Sequence, residues 1–104
     1  LPVADLAASF QAAVVGTLFD KTMEAAKEFK AAEIILGGGV SANIALREAF
    51  RAQTRYRVHI PQLAYCTDNA AMIAAAAYHH LAAGLVDDLG FDVKPTWPLT
   101  EVAA

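Results

Sequence analysis

The stretch EIILGGGVSANIALREAF, residues 33–50, decides the fold. Glu33-Ile34-Ile35-Leu36 is short, apolar and partly β-branched, the pattern of a buried strand, and Gly37-Gly38-Gly39 breaks it. Ser41 is a helix-capping residue type, and Leu46, Ala49, Phe50 and Gln53 then recur along one side of a predicted helix. Arg47, Arg51 and Arg55 follow at four-residue steps, which predicts a charged outer stripe. A strand that runs through a glycine loop into a helix is the repeating unit of an α/β protein.

The flanks extend the same order. Upstream, Leu6, Phe10, Val14, Leu18, Ala25 and Phe29 recur at helical spacing, with Lys21, Glu24, Lys27, Glu28 and Lys30 on a wet face, so one long helix is expected. Downstream, Tyr56 to Ile60 reads as a second strand that Pro61 ends. Thr67 or Asp68 is the expected cap of a third helix lined by Met72, Ile73, Ala76, Ala77, His80 and Leu81, and Gly84 closes it. The tail from Leu85, with Pro95, Trp97 and Pro98, is expected to be irregular. Helix, strand, helix, strand, helix makes the two strands parallel neighbours. Two strands make a poor sheet. Together with a first residue that is Leu1 rather than Met, this suggests one subdomain, residues 1–104, of a longer chain.

Composition sets the setting. The 104 residues are 57% hydrophobic and 18% charged with a formal net charge of −3, which fits one small globular domain rather than a strongly basic nucleic-acid binder. Cys66 is the only cysteine, so no internal disulfide exists and a reducing, cytoplasmic compartment is expected. The longest unbroken apolar run, Ala70 to Tyr78, falls far short of the roughly 20 residues of a bilayer span, and no membrane role is expected. The exposed apolar surface and sheet edge of such a piece predict self-association.

Two loops carry candidate chemistry. Gly37-Gly38-Gly39 lets a ligand approach the backbone without meeting a Cβ, and the following helix turns its free amides toward that ligand. A plain tight turn explains the glycines equally well. The loop completes neither G-x-G-x-x-G nor a P-loop. Asn43 could bond a ribose, a phosphate or a loop carbonyl. Asp68 has the position of a helix cap, and it also stands after the second of two parallel strands, where open α/β sheets bind ligands and where its carboxylate could reach a metal. His59, His79 and His80 show no H-x-x-x-H or other ligand spacing, so any metal site within this chain is incomplete.

Four motifs in order, DLAASFQAAVV (5–15), IILGGGVSANIALRE (34–48), CTDNAAMIAAAAYHHLAAG (66–84) and KPTWPL (94–99), resemble the C-terminal third of the tRNA N6-adenosine threonylcarbamoyltransferase family. The resemblance spans nearly the whole chain, and CTDNAAMIA is its most specific part. It implies the two-lobed actin-like ATPase (ASKHA) fold, with this chain as part of the second lobe. It also implies transfer of a threonylcarbamoyl group from threonylcarbamoyl-AMP to N6 of adenosine 37 in tRNAs reading codons that begin with A. In the family the glycine loop and the asparagine after it line the nucleotide site, which maps onto Gly38, Gly39 and Asn43. The CTDN aspartate, here Asp68, is a ligand of one divalent metal, iron or zinc, whose two histidine ligands lie in the first lobe and are absent from these residues. The chain by itself is therefore expected to hold no metal and to be inactive.

The implied partners are tRNA and, in bacterial members, a paralogous subunit and a small ATPase. Lys94-Pro95-Thr96-Trp97-Pro98 stands where the family has Arg-Pro-Arg-Trp-Pro, and the span from Asn43 to Asp68 is slightly short. Rival readings are a hydrogenase-maturation type carbamoyltransferase, which lacks a CTDNAAMIA-like run, and a non-catalytic paralogue serving as scaffold, against which Asn43 and Asp68 both argue. The family was long described as O-sialoglycoprotein endopeptidases, yet the chain has neither H-E-x-x-H nor G-x-S-x-G. Contact of Arg47, Arg51 and Arg55 with tRNA phosphates is a further possibility, with a solvated helix face as the plainer one.

Overall fold

A computed structural model describes residues 1–93, 95, 96 and 98. The order is α1 (Val3–Glu28), β1 (Glu33–Ile35), a 3-10 turn (Gly39–Ala42), α2 (Ile44–Ala52), β2 (Arg57–His59), a second 3-10 turn (Leu63–Tyr65) and α3 (Ala70–Ala82). The mixed α/β class expected from sequence holds, with both strands shorter than their apolar runs. They pair in parallel, Glu33 with Arg57, Ile34 with Val58 and Ile35 with His59. Two compact units divide the chain, Leu1–Met72 and Ile73–Ala104.

Strand alternation assigns the two sheet faces of the first unit. Ile34 is buried and Val58 packs beside it on the core, which Ala26, Leu46 and Phe50 complete. Glu33, Ile35, Arg57 and His59 occupy the opposite, open face. There Glu33 bonds His59 and lies 3.5 Å from Arg57. The His59 hydrogen bond, aided by the charges of His59 and Arg57, holds the Glu33 carboxyl below the ordinary carboxylate value against an opposing desolvation effect.

The inner side of α1 differs from the expected stripe. Val15, Phe19, Met23 and Ala26 meet the core, whereas Leu6, Phe10, Val14, Leu18 and Phe29 stay exposed. The helix is apolar on more than one side, and the short sheet with α2 covers only one of them. By length and composition α1 could also cross a bilayer, a feature that counting contiguous apolar residues does not pick out. Its C-terminus closes in a Schellman motif, with Ala31 N donating to Ala26 O and Lys30 N to Lys27 O. Lys30 takes the left-handed backbone (φ 52°) that the motif requires. Between α2 and β2, Gln53 ties the turn, donating from Nε2 to Tyr56 O at 2.8 Å and accepting at Oε1 from Tyr56 N at 3.0 Å.

In the second unit α3 ends in the same motif at Gly84, as expected, with Leu85 N donating to His80 O. No residue of α3 is buried, so the expected inner face of Met72, Ile73 and Leu81 has no cover among the described residues. From Leu85 onward the described residues form neither helix nor strand. Lys94 and Trp97 of the KPTWPL motif lie outside the described residues, as does Leu99.

Candidate functional site

Two loops leave the C-terminal ends of β1 and β2. In the first, Gly38 has φ 79° and ψ 173°, a backbone region open essentially to glycine alone. This turn swings the chain into the 3-10 turn, where Ser41 N and Ser41 Oγ both donate to Gly38 O, at 3.0 and 2.7 Å. Ser41 is buried and turned back on the glycines, so it does not cap α2 as its residue type suggested. Asn43 caps instead, with Oδ1 accepting from Leu46 N at 3.0 Å, a bond that stabilises a helix by about 1 kcal/mol. The interposed 3-10 turn moves the cap position two residues on, to Asn43 at the mouth of α2. Its Nδ2 donates to Gln11 Oε1 of α1 at 3.2 Å. Beside this pair lies a mostly apolar cavity of about 280 Å³, lined by Phe10, Val14, Val40 and Leu46 among others.

Gly37, Gly38 and Gly39 all have open space where a Cβ would stand, so the backbone here is approachable. Only Gly38 is conformationally required. Gly38→Ala is expected to destabilise by about 1–3 kcal/mol through backbone strain. Gly39→Ala, with neither clash nor left-handed angle, is expected to fall within about 0.5 kcal/mol of native. Urea unfolding of the two variants checks this, and equal midpoints would contradict it.

In the second loop the sequence placed the cap of α3 at Thr67 or Asp68. The structure gives it to Asn69, whose Oδ1 accepts from Met72 N at 3.0 Å while Nδ2 donates to Thr67 O at 2.8 Å. Both expected caps are thus displaced by an asparagine, whose amide satisfies an acceptor and a donor at once. Asp68 is exposed, and its carboxylate makes no hydrogen bond or ion pair among the described residues. It is a free, acceptor-only group suited in kind to one position on a hard or borderline metal. Among the described residues no cluster of three His, Cys, Asp or Glu side chains could complete such a site.

Arg47 also departs from its expected place. It is 7% exposed, not part of an outer stripe. Nη1 donates to Ser41 O at 2.9 Å and Nη2 to Pro61 O at 2.6 Å, with Cys66 Sγ 3.6 Å from Nη1. A tRNA contact through Arg47 is therefore ruled out in this conformation, and only Arg51 and Arg55 of the three remain exposed. A signal was present in the sequence: a cation in the first turns of a helix opposes the helix dipole and needs another reason to be there.

A family model described as tRNA N6-adenosine threonylcarbamoyltransferase matches residues 2–75. Proteins of that name are 52% identical over 99 residues in Thermomicrobium roseum, covering 95% of this chain and 27% of the relative. The protein of Polaromonas naphthalenivorans is 48% identical over 94% of this chain and 30% of its own length. That of Crocosphaera subtropica is 46% identical, over 98% and 30% respectively. The chain thus spans about 30% of the length of the curated relatives it matches.

Proposed function

Since the chain belongs to the tRNA N6-adenosine threonylcarbamoyltransferase family, we propose that it is the nucleotide- and metal-facing part of an enzyme that acylates N6 of a tRNA adenosine. The donor is threonylcarbamoyl-AMP. The adenine amine attacks the carbamoyl carbon, the new N–C bond forms as the bond to the phosphate oxygen breaks, AMP leaves, and N6 loses a proton. On this reading the segment is part of the second lobe of an actin-like ATPase fold in the cytoplasm, working with tRNA and, in a bacterial setting, with a paralogous subunit and a small ATPase.

Each residue then has a task set by its geometry. The open backbone at Gly38 and Gly39 receives the AMP portion, with the apolar cavity beside Asn43 available for its less polar parts. Asn43 is held from both ends by Leu46 N and Gln11, so it presents a fixed amide. Asp68 supplies one ligand to an iron or zinc ion, whose chemistry when bound is Lewis-acid polarisation of the transferred carbonyl. The observation that carries this reading is the Asp68 carboxylate, left free because Asn69 does the capping.

The test is nucleoside mass spectrometry of unmodified tRNA incubated with threonylcarbamoyl-AMP, its partner proteins and a protein of the relatives' length carrying this segment. Threonylcarbamoyladenosine is the expected product. None is expected from the 104 residues alone, because no cluster of three ligand side chains lies among the described residues. Absence of product from the longer protein, where the Thermomicrobium roseum relative succeeds, would overturn the reading. Turnover by the 104 residues would overturn the shared-site account.

A further inference from the structure

Arg47 is buried and charged, yet no carboxylate lies within ion-pair distance among the described residues. Buried charges are ordinarily paired, because an isolated one is costly to take from water. Here the compensation comes from two carbonyl dipoles and a thiol, all of them on loops. Ser41 belongs to the turn after β1, Pro61 follows β2, and Cys66 stands two residues before Asp68. Among the described residues no hydrogen bond directly joins 37–43 to 61–69, so the guanidinium is the polar link between them. Its planar fork suits this role: Nη1 and Nη2 point in fixed directions and set the separation of the two carbonyls they bind.

We propose that Arg47 is a positioning residue, which holds the glycine turn and the loop of Asp68 at the separation the transfer reaction needs. The inference rests on the functional reading above, in which the first loop takes the nucleotide and the second a metal. Arg47 touches neither ligand itself and acts through Ser41, Pro61 and Cys66. Lysine keeps the charge, but its three donors share one nitrogen on a flexible stem, so it cannot span both carbonyls in the same way.

The experiment compares Arg47→Lys and Arg47→Ala with native protein of the relatives' length, below their unfolding temperatures. The expected result is a fall in kcat of about 10- to 100-fold, with KM for threonylcarbamoyl-AMP within a few-fold of native. Added methylguanidinium is expected to restore part of the loss in Arg47→Ala. Native kcat per folded molecule in both variants would overturn the proposal, since a purely structural role predicts that result. If neither variant folds, hydrogen exchange of the native protein decides: one shared opening free energy for the amides of both loops is expected, and separate opening of the two loops overturns the proposal. Hydrogen exchange of folded Arg47→Lys separates this inference from the assigned reaction. The amides of Ser41 and Asn43 in one loop and Tyr65 and Cys66 in the other, all hydrogen-bonded in the native fold, are expected to lose protection together. Loss in only one loop, or in neither, would refute the link even if the reaction assignment stood. Joint loss with an inactive native enzyme would support the link and refute the assignment.

Discussion

Phe50→Ala is expected to destabilise the first unit by about 3–5 kcal/mol, enough to unfold much of a small domain whose total stability is of that order. Phe50 is 2% exposed and meets Phe19 edge to face, ring centroids 5.0 Å apart. It joins three elements: Phe19 and Ala26 from α1, Ile34 from β1, and Leu46 on its own helix. A core with so few fully buried side chains has little left to close over the cavity that truncation leaves. Phe10→Ala is the matched control, since Phe10 is 72% exposed and its loss should change stability by no more than about 0.5 kcal/mol. Urea denaturation of both variants measures the difference. A Phe50→Ala midpoint close to that of Phe10→Ala would mean that the core is elsewhere.

The second large effect falls on activity rather than stability. Asp68→Ala is expected to reduce threonylcarbamoyl transfer at least about 100-fold, because even the outer partners of metal ligands commonly cost 10- to 100-fold when removed. Its stability should stay within about 0.5 kcal/mol of native, as Asp68 is exposed and caps nothing. Asn69→Ala should behave in the opposite sense, losing about 1 kcal/mol through the missing bond to Met72 N. Neighbouring residues with separable effects are what distinguishes a ligand from a cap. Circular dichroism melts set beside single-turnover transfer rates resolve the two.

The parts of this fold written in local pattern were legible. The apolar run Glu33-Ile34-Ile35-Leu36, the break at Gly37-Gly38-Gly39 and the stop at Gly84 marked the order of elements, and the helix between the two strands implied the parallel pairing of β1 with β2. Periodicity could not choose between two apolar stripes on α1, because Leu6-Phe10-Val14-Leu18 and Val15-Phe19-Met23 both have helical spacing and only the neighbouring elements decide which is covered. The caps failed for a related reason. Ser41 and Asp68 are good capping types, but short turns after each strand moved the capping geometry to Asn43 and Asn69. The position of Arg47 early in α2 was a signal, but its acceptors were hidden, because Ser41, Pro61 and Cys66 come from separate stretches that meet only in three dimensions. What sequence did show of the site was its residue types and their two loops. What it lacked was the knowledge that Asn43 is held while Asp68 is free.

Nucleoside mass spectrometry on tRNA treated with native and Asp68→Ala protein of the relatives' length, with metal content measured on the same samples, decides whether Asp68 holds a metal for the transfer. Native protein is expected to yield threonylcarbamoyladenosine and to hold iron or zinc, and a variant that melts at the native temperature is expected to do neither. A variant that melts normally, keeps its metal and still modifies tRNA would contradict that expectation, and Asp68 would then be a loop residue with no part in the chemistry.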